Sequence, residues 1–383
     1  VNILDEGNWR PALVMDSPET GSNHFQHQVL INMDGYQGKR IRLAFVYEGN
    51  DAATLAVDNI GIAPADNYWT GKSGSVWTNE ANWRLAVPEQ TGTAQILPAP
   101  NQPVISGSLE MTGIQVHPGA SLTLAPDAQL TVTNSLINMA GASGLILKAG
   151  EQGHATLIHP EDGVNATVEV YTGATGWQLL SMPFDVDFEP EFTAPGDGLL
   201  KWHEASGSWI DSRLEDETWN PAFETLMTRG HAYLSGYETP QIRSGSGLLD
   251  GTSFSRELQN TGNGWHLSGN PFTASVSYNP SDPQFAAIGK VWNAAEGSFT
   301  ELYPGAIIPA FSGFAVEVLQ ETATHHIPAE SRTHEAGWLP AAPEPSIALS
   351  VSETVLGTRQ RAAINLNQAA TEYFDVQLDA GFL

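Results

Sequence analysis

Apolar and polar residues alternate along most of the chain in short runs, which is the period of strands and not of helices. The clearest run, Arg40-Ile-Arg-Leu-Ala-Phe-Val-Tyr47, sets Ile41, Leu43, Phe45 and Tyr47 on one face. An apolar run at 29–33 and a turn at 34–38 precede it, and a further run over 55–62 follows. After a linker at 63–66, shorter runs recur at 113–116, 120–124, 129–133, 144–147 and 155–158, with Pro or Gly in most of the gaps. Many short strands punctuated by turns predict a small β-solenoid or an elongated sandwich, with 134–138 as a further rung.

A duplication organises the second half. Gly176-Trp-Gln-Leu-Leu-Ser-Met-Pro-Phe184 returns 88 residues later as Gly264-Trp-His-Leu-Ser-Gly-Asn-Pro-Phe272, with Gly, Trp, Leu, Pro and Phe at the same five offsets. Lys201-Trp-His-Glu-Ala-Ser-Gly-Ser-Trp209 matches Val291-Trp-Asn-Ala-Ala-Glu-Gly-Ser-Phe299 at a shift of 90. A looser pair, Gly230-His-Ala-Tyr233 with Gly313-Phe-Ala-Val316, stands at a shift of 83. Ordered matches at a nearly constant shift mean a repeated structural unit.

Composition narrows the function classes. At 383 residues the chain is long enough for two to four domains, and 41% hydrophobic residues can supply their cores. Gly (37) and Pro (24) are abundant, as tight turns require. A balance of 43 acidic against 16 basic residues gives a net charge of −27. That disfavours nucleic acid and anionic lipid, both of which are bound by Lys and Arg. No cysteine is present, which excludes disulfides, zinc-thiolate sites and cysteine nucleophiles. No apolar run approaches the roughly 20 residues of a membrane-spanning helix, and Val1 opens no signal-peptide pattern. The sequence is expected to be a segment of a longer protein.

Three stretches carry resemblances. The order Gly-Lys-x-Ile-x-Leu-Ala-Phe-x-Tyr over 38–47, then Val57-Asp-Asn-Ile60, resembles the C-terminal half of the jelly-roll module called the cleaved-adhesin or choice-of-anchor domain. The match spans about 24–62, and the resemblance implies calcium binding, with Asp34, Asp51 and Asp58 as the acidic candidates. Trp69-Thr-Gly, Trp77, Asn82-Trp83, Val87-Pro88 and Ile96-Leu-Pro98 resemble a recurrent module of bacterial surface proteins. The second copy of the duplication, with Gly289-Lys-Val-Trp292, Ile308-Pro-Ala-Phe-Ser-Gly-Phe314 and Ser331-Arg332, resembles a module found ahead of the sorting domain in proteins exported by the type IX secretion system. Together they imply an extracellular or outer-surface protein. The expected architecture is all-β, with β-sandwich or jelly-roll-like modules and a short β-solenoid in tandem, including the duplication. Its divisions are a partial jelly roll at 1–63, a Trp-rich start and solenoid or sandwich at 67–160, the copies at 165–255 and 256–336, and C-terminal strands at 345–383.

Catalytic motifs are missing. Gly71-Lys-Ser73 lacks the upstream Gly of a phosphate loop, because that position is Asp66. No His-Glu-x-x-His and no Gly-x-Ser-x-Gly pattern occurs. His24, His27, His325, His326 and His334 lack a spaced third ligand, and His203 and His266 are replaced by Asn293 and Gln178 in the other copy. Asp185, Asp187, Glu189 and Glu191 alternate, so an extended chain puts them on one face, as a glycosidase-like carboxylate pair, a calcium loop (Asp185, Asp187) or a solvated edge, the last being the expected one. Trp177, Trp265, Trp202 and Trp292 recur beside matched apolar neighbours and are expected in cores. Trp209, Trp219, Tyr233 and Tyr237, and separately Trp69, Trp77 and Trp83, are the carbohydrate-contact candidates. The expected role is non-enzymatic: adhesion, binding of a polysaccharide or cell-surface glycan, or a rigid spacer. The alternatives are an accessory region of a secreted hydrolase, or a structural subunit that meets other chains of a surface assembly.

Overall fold

The computed structural model describes residues 1–5, 8–12, 31, 33, 36, 39, 41–46, 67–173, 176–194, 197–237, 239–280, 282–294 and 296–335, and the backbone of the strands Ser346–Glu353 and Thr358–Asn365. Among them the fold is all-β, with single 3₁₀ turns and no α-helix. No helix is long and apolar enough to cross a membrane. The N-terminal strands Asn8–Pro11, Asn2–Asp5 and Arg42–Ala44 form a three-stranded antiparallel sheet. The Ser346–Glu353 and Thr358–Asn365 strands pair as an antiparallel hairpin.

Residues 93–168 wind into a β-solenoid of about four turns. Each turn gives one strand to each of two parallel sheets. The first contains Thr93–Ile96, Ser108–Val116, Gln129–Asn138 and Thr156–Ile158. The second contains Val104–Ile105, Leu122–Leu124, Leu145–Leu147 and Val164–Thr172. In-register parallel pairing stacks equivalent side chains, so each turn adds one aliphatic to a continuous column. Ile105, Leu124, Leu147 and Val168 form one such column, and Leu109, Leu130 and Leu157 form another. Most of these side chains are fully buried, which is how a quasi-one-dimensional fold makes a core from strands too short to build one alone. Residues 134–138 are not a further rung. They continue Gln129–Asn138 past a bulge, where Val132–Ser135 spans three steps against two for Met111–Gly113. The bulge exposes Thr133 and Asn134 in succession, which interrupts the alternation.

Both ends of the solenoid are covered. Trp69, Trp77 and Trp83 seal the first turn, with Trp77 N–H donating to Val104 O and Trp69 N–H to Gln95 O. At the last turn, Val164–Thr172 pairs antiparallel with Gln241–Leu249, so one strand serves both the solenoid and the first copy. The remaining edge, Thr156–Ile158, exchanges hydrogen bonds with Thr273 of the second copy, from Leu157 N–H to Thr273 O and from Thr273 Oγ1 to Leu157 O.

The copies share one topology. The sheet order Trp177–Leu180, Tyr233–Gly236, Gly198–His203, Ser208–Asp211 in the first repeats as Trp265–Gly269, Gly313–Glu317, Gly289–Asn293, Ser298–Leu302 in the second. Trp177 lies opposite Gly236 and Trp265 opposite Glu317, so the third match runs at a shift of 81 and not 83. Tyr233 is therefore the counterpart of Phe314, and Gly230 that of Phe311. Both Gly230 and Phe311 take positive φ, at 76° and 61°. That shared conformation is a better guide to register than the Gly-x-Ala identity at 230 and 313.

The two sheets pack face to face through Leu179, Leu200, Ala232, Leu234, Leu267 and Ala315, ringed by half-buried Trp and Phe. Their contacts are reciprocal. Trp202 Nε1 donates to Trp265 O at 2.9 Å, and its counterpart Trp292 Nε1 donates to Trp177 O at 2.5 Å. Ser181 N–H donates to Phe311 O, and Gly269 N–H to Gly230 O. Each bond maps onto the other when the copies are exchanged, which defines a pseudo-twofold axis between them.

Candidate functional site

The copies differ most between Ser208–Asp211 and Leu226–Met227. Copy one spends residues 212–225 on this connection, whereas copy two needs only 303–306. The extra chain is held by local polar bonds. Leu214 N–H donates to Thr218 O, Glu217 takes φ 63°, and Arg213 and Trp219 face each other as a bridge. Asn220 fixes the base by donating Nδ2–H to Asp211 O at 2.8 Å and accepting from Ala222 N–H at 2.9 Å.

This excursion brings Trp219 beside the acidic loop that follows Phe184. Asp187, Glu189, Trp219 and Thr225 line an open cleft of about 360 Å³. The Trp219 ring is half-buried, lying 6.1 Å from the Phe188 ring and 5.6 Å from Phe223. The Arg213 guanidinium sits 5.4 Å from its centroid and forms an ion pair with Glu189. Phe188 N–H donates to Thr225 O, which ties the two walls together. An aromatic surface flanked by exposed carboxylates and a hydroxyl offers an apolar platform with acceptors at its rim. That combination suits the apolar face and outward hydroxyls of a sugar ring.

The other aromatic candidates are placed differently. Trp69, Trp77 and Trp83 are buried against one another, with Trp69–Trp83 and Trp77–Trp83 edge-to-face at 5.1 and 4.9 Å. Trp69 Nε1 donates to Asn101 O and Trp83 Nε1 to Trp77 O. Gly71, at φ 58°, lets this turn close, because a Cβ there would meet Asn101 O at 2.1 Å. Tyr233 is buried, and burial pushes its phenol pKa up. Tyr237 donates to Phe192 O under the Arg243 guanidinium, and burial raises it to about 12. Trp209 has Phe299 as its counterpart. The two rings stack at 6.4 Å across the pseudo-twofold axis, so Trp209 belongs to the contact between copies. Of the candidates, Tyr233 lies at the wall of a second cavity between the copies but is itself 1% exposed, whereas Trp219 offers a half-buried ring to an open cleft.

The metal candidates divide. Asp34, Asp51 and Asp58, like His24 and His27, lie outside the described residues. Asp185 accepts from Arg229 N–H at 2.8 Å, while Asp187 is exposed in the cleft. Among the described residues, no group of three or more His, Asp or Glu side chains is placed to hold a metal ion. The histidines serve as hydrogen-bonding groups. His334 joins Thr131 and Thr156 of the solenoid, His203 meets Ser206, His266 meets Gln259 O, His325 meets Ser268, and His326 meets Ser255. Arg213 and Thr225 were not singled out from the sequence. The signal for them was the unequal length of the two copies. Neither protein-family models, nor curated proteins, nor solved structures contain a match to this chain.

Proposed function

We propose that this chain is a non-enzymatic segment of a secreted or cell-surface protein that binds a polysaccharide or cell-surface glycan at the Trp219 cleft. The observation that carries this reading is the half-buried ring of Trp219, which with Thr225 belongs to the excursion unique to copy one and is flanked by Asp187 and Glu189 of the loop after Phe184. The net charge of −27 works against nucleic acid and anionic lipid as ligands and leaves neutral glycans acceptable. The solenoid and the paired copies act as a stiff support for the cleft. The resemblances to surface-exported modules favour the same setting. A polysaccharide pull-down followed by a glycan array tests it, with Trp219→Ala expected to abolish retention and Trp83→Phe to preserve it. Equal retention by wild type and Trp219→Ala removes the site. The competing hydrolase reading draws on Asp187 and Glu189 in the same cleft. It requires reducing ends to be released from a bound polysaccharide, and that release to stop in Glu189→Gln.

A further inference from the structure

We propose a second site, a cavity between the two copies that takes an oxyanion, with Arg256 as its principal contact. The cavity holds about 280 Å³, and its charged and polar lining includes Lys201, Arg256, His231 and His266 together with three carboxylates: Glu224 paired with Lys201, Glu204 saturated by donors from Thr261, Gly262 and Gly264, and the exposed Glu257. Its volume is close to the lower bound of ordinary small-ligand pockets.

Arg256 is the unusual member. In a chain with 43 acidic side chains it has no carboxylate partner among the described residues. One Nη2–H donates to Leu267 O at 2.6 Å, and its Nε is buried without a hydrogen-bond partner. Burying a guanidinium without a counter-charge is costly, and an arrangement that tolerates this has a supplied anion as its simplest physical explanation. Lys201 adds a second cation, held by Glu224. The His231 imidazole, near Arg256, His266 and Lys201, is held down to about 3, first by burial and then by those neighbours. It is therefore a neutral hydrogen-bonding group in the cavity.

The pseudo-twofold axis supplies a control. Glu169 pairs with Ser244 as Arg256 pairs with His325, so Arg256 corresponds to Glu169 in copy one. Lys201 corresponds to Val291 and His231 to Ser312. Glu169 forms an ion pair with Lys148 of the solenoid. The fold thus accommodates other residues at these positions, and the basic set belongs to one side of the axis. Gln259 at the exposed edge can accept from or donate to hydroxyls, and the Glu224 carboxylate beside Lys201 can accept from them, so the candidate ligand is an oxyanion carried on a hydroxylated molecule such as a sugar acid.

This site does not depend on the Trp219 cleft. Isothermal titration of the whole chain with glucuronate, inorganic phosphate and glucose tests it. Glucuronate is expected to bind, and Arg256→Met to weaken it by about tenfold or more. Lys201→Ala should weaken it less, and Trp219→Ala should leave it unchanged. Phosphate binding as tightly as glucuronate assigns the site to the bare oxyanion; weaker phosphate binding assigns it to the sugar acid. Glucose binding as tightly as glucuronate, an unaffected Arg256→Met variant, or no binding of either anion overturns the proposal. Thermal unfolding separates a ligand role from a structural one. Met fills the same volume without a buried charge, so the unliganded variant should be at least as stable as wild type. A clear fall in its melting temperature would make Arg256 a structural residue.

Discussion

At the residue scale, Glu204 shows how one side chain fixes the relation between the copies. Its carboxylate accepts from Thr261 Oγ1 at 2.6 Å and from the N–H groups of Thr261, Gly262 and Gly264 at 3.1, 2.7 and 2.8 Å, all in copy two. Burial alone would raise its pKa, but these bonds outweigh that effect and hold it at about 2 against an ordinary 4.5. The folded-state value is the lower one, so the contribution to stability is fully present above about 4.5 and is lost as pH falls toward 2. Glu204→Ala is expected to cost about 2 kcal/mol at neutral pH. Its unfolding midpoint in urea should also fall less than that of wild type between pH 5 and pH 3, a range that starts above this window and covers its upper part. Parallel declines in the two proteins would rule out Glu204 as the source. The counterpart of Glu204 is Ala294, so this clasp, like Trp219, sits where the copies differ. That difference was readable in the sequence. The burial of Tyr237 and the Trp69–Trp77–Trp83 cluster was not, because an aromatic without an aromatic repeat partner looks the same whether it faces a ligand or a core. That of Tyr233 is hidden by the register, which at a shift of 83 sets it against Val316 instead of Phe314.

At the scale of elements, the solenoid columns make a sharp energetic statement. Leu147 is 1% exposed and stacks between Leu124 and Val168. Leu147→Ala is expected to cost about 2–5 kcal/mol, the range for a buried leucine whose neighbours cannot collapse onto the void. Thr123, on the opposite face of the adjacent strand, should tolerate Ala within about 0.5 kcal/mol. Urea titrations of the two variants decide the matter, and similar losses would contradict the assignment of faces. The short strands at 113–116, 120–124, 129–133, 144–147 and 155–158 were legible because alternation and Gly/Pro gaps are local signals. The bulge at Thr133 and Asn134 was read as a strand break because an extra residue disturbs alternation much as a turn does. The register of the third repeat match differs from the sequence expectation for a related reason. Gly230 and Phe311 share a backbone conformation but not a residue type, and identity drew the alignment to Gly313.

At the scale of the molecule, the pseudo-twofold contact and the distribution of charge each lead to a measurable consequence. The reciprocal indole bonds predict matched losses. Trp202→Phe and Trp292→Phe should each cost about 1 kcal/mol in urea denaturation, and widely unequal costs would mean the symmetry of geometry does not extend to energy. Charge works over longer distances. The chain has 16 Lys and Arg in all, and several are committed inside the fold. Arg243 lies 3.9 Å from the Tyr237 ring and bonds Glu191 O; Arg229 joins Asp250 and Pro271 O; Arg332 bonds His159 O; Arg213 pairs with Glu189. Arg213, Arg229 and Arg243 each take one carboxylate with them, and the net charge of −27 still leaves a large excess of carboxylates over cations. Self-repulsion among those carboxylates opposes the compact state, and mobile ions screen it. Raising NaCl from about 10 to about 150 mM shortens the screening length from about 30 to about 8 Å. The melting temperature should therefore rise by a few degrees, equally in NaCl and KCl. A fall would mean that the ion pairs at the junctions, and not surface repulsion, dominate the electrostatics. A rise confined to millimolar CaCl₂ would instead reveal a specific divalent-ion site, a different mechanism from screening.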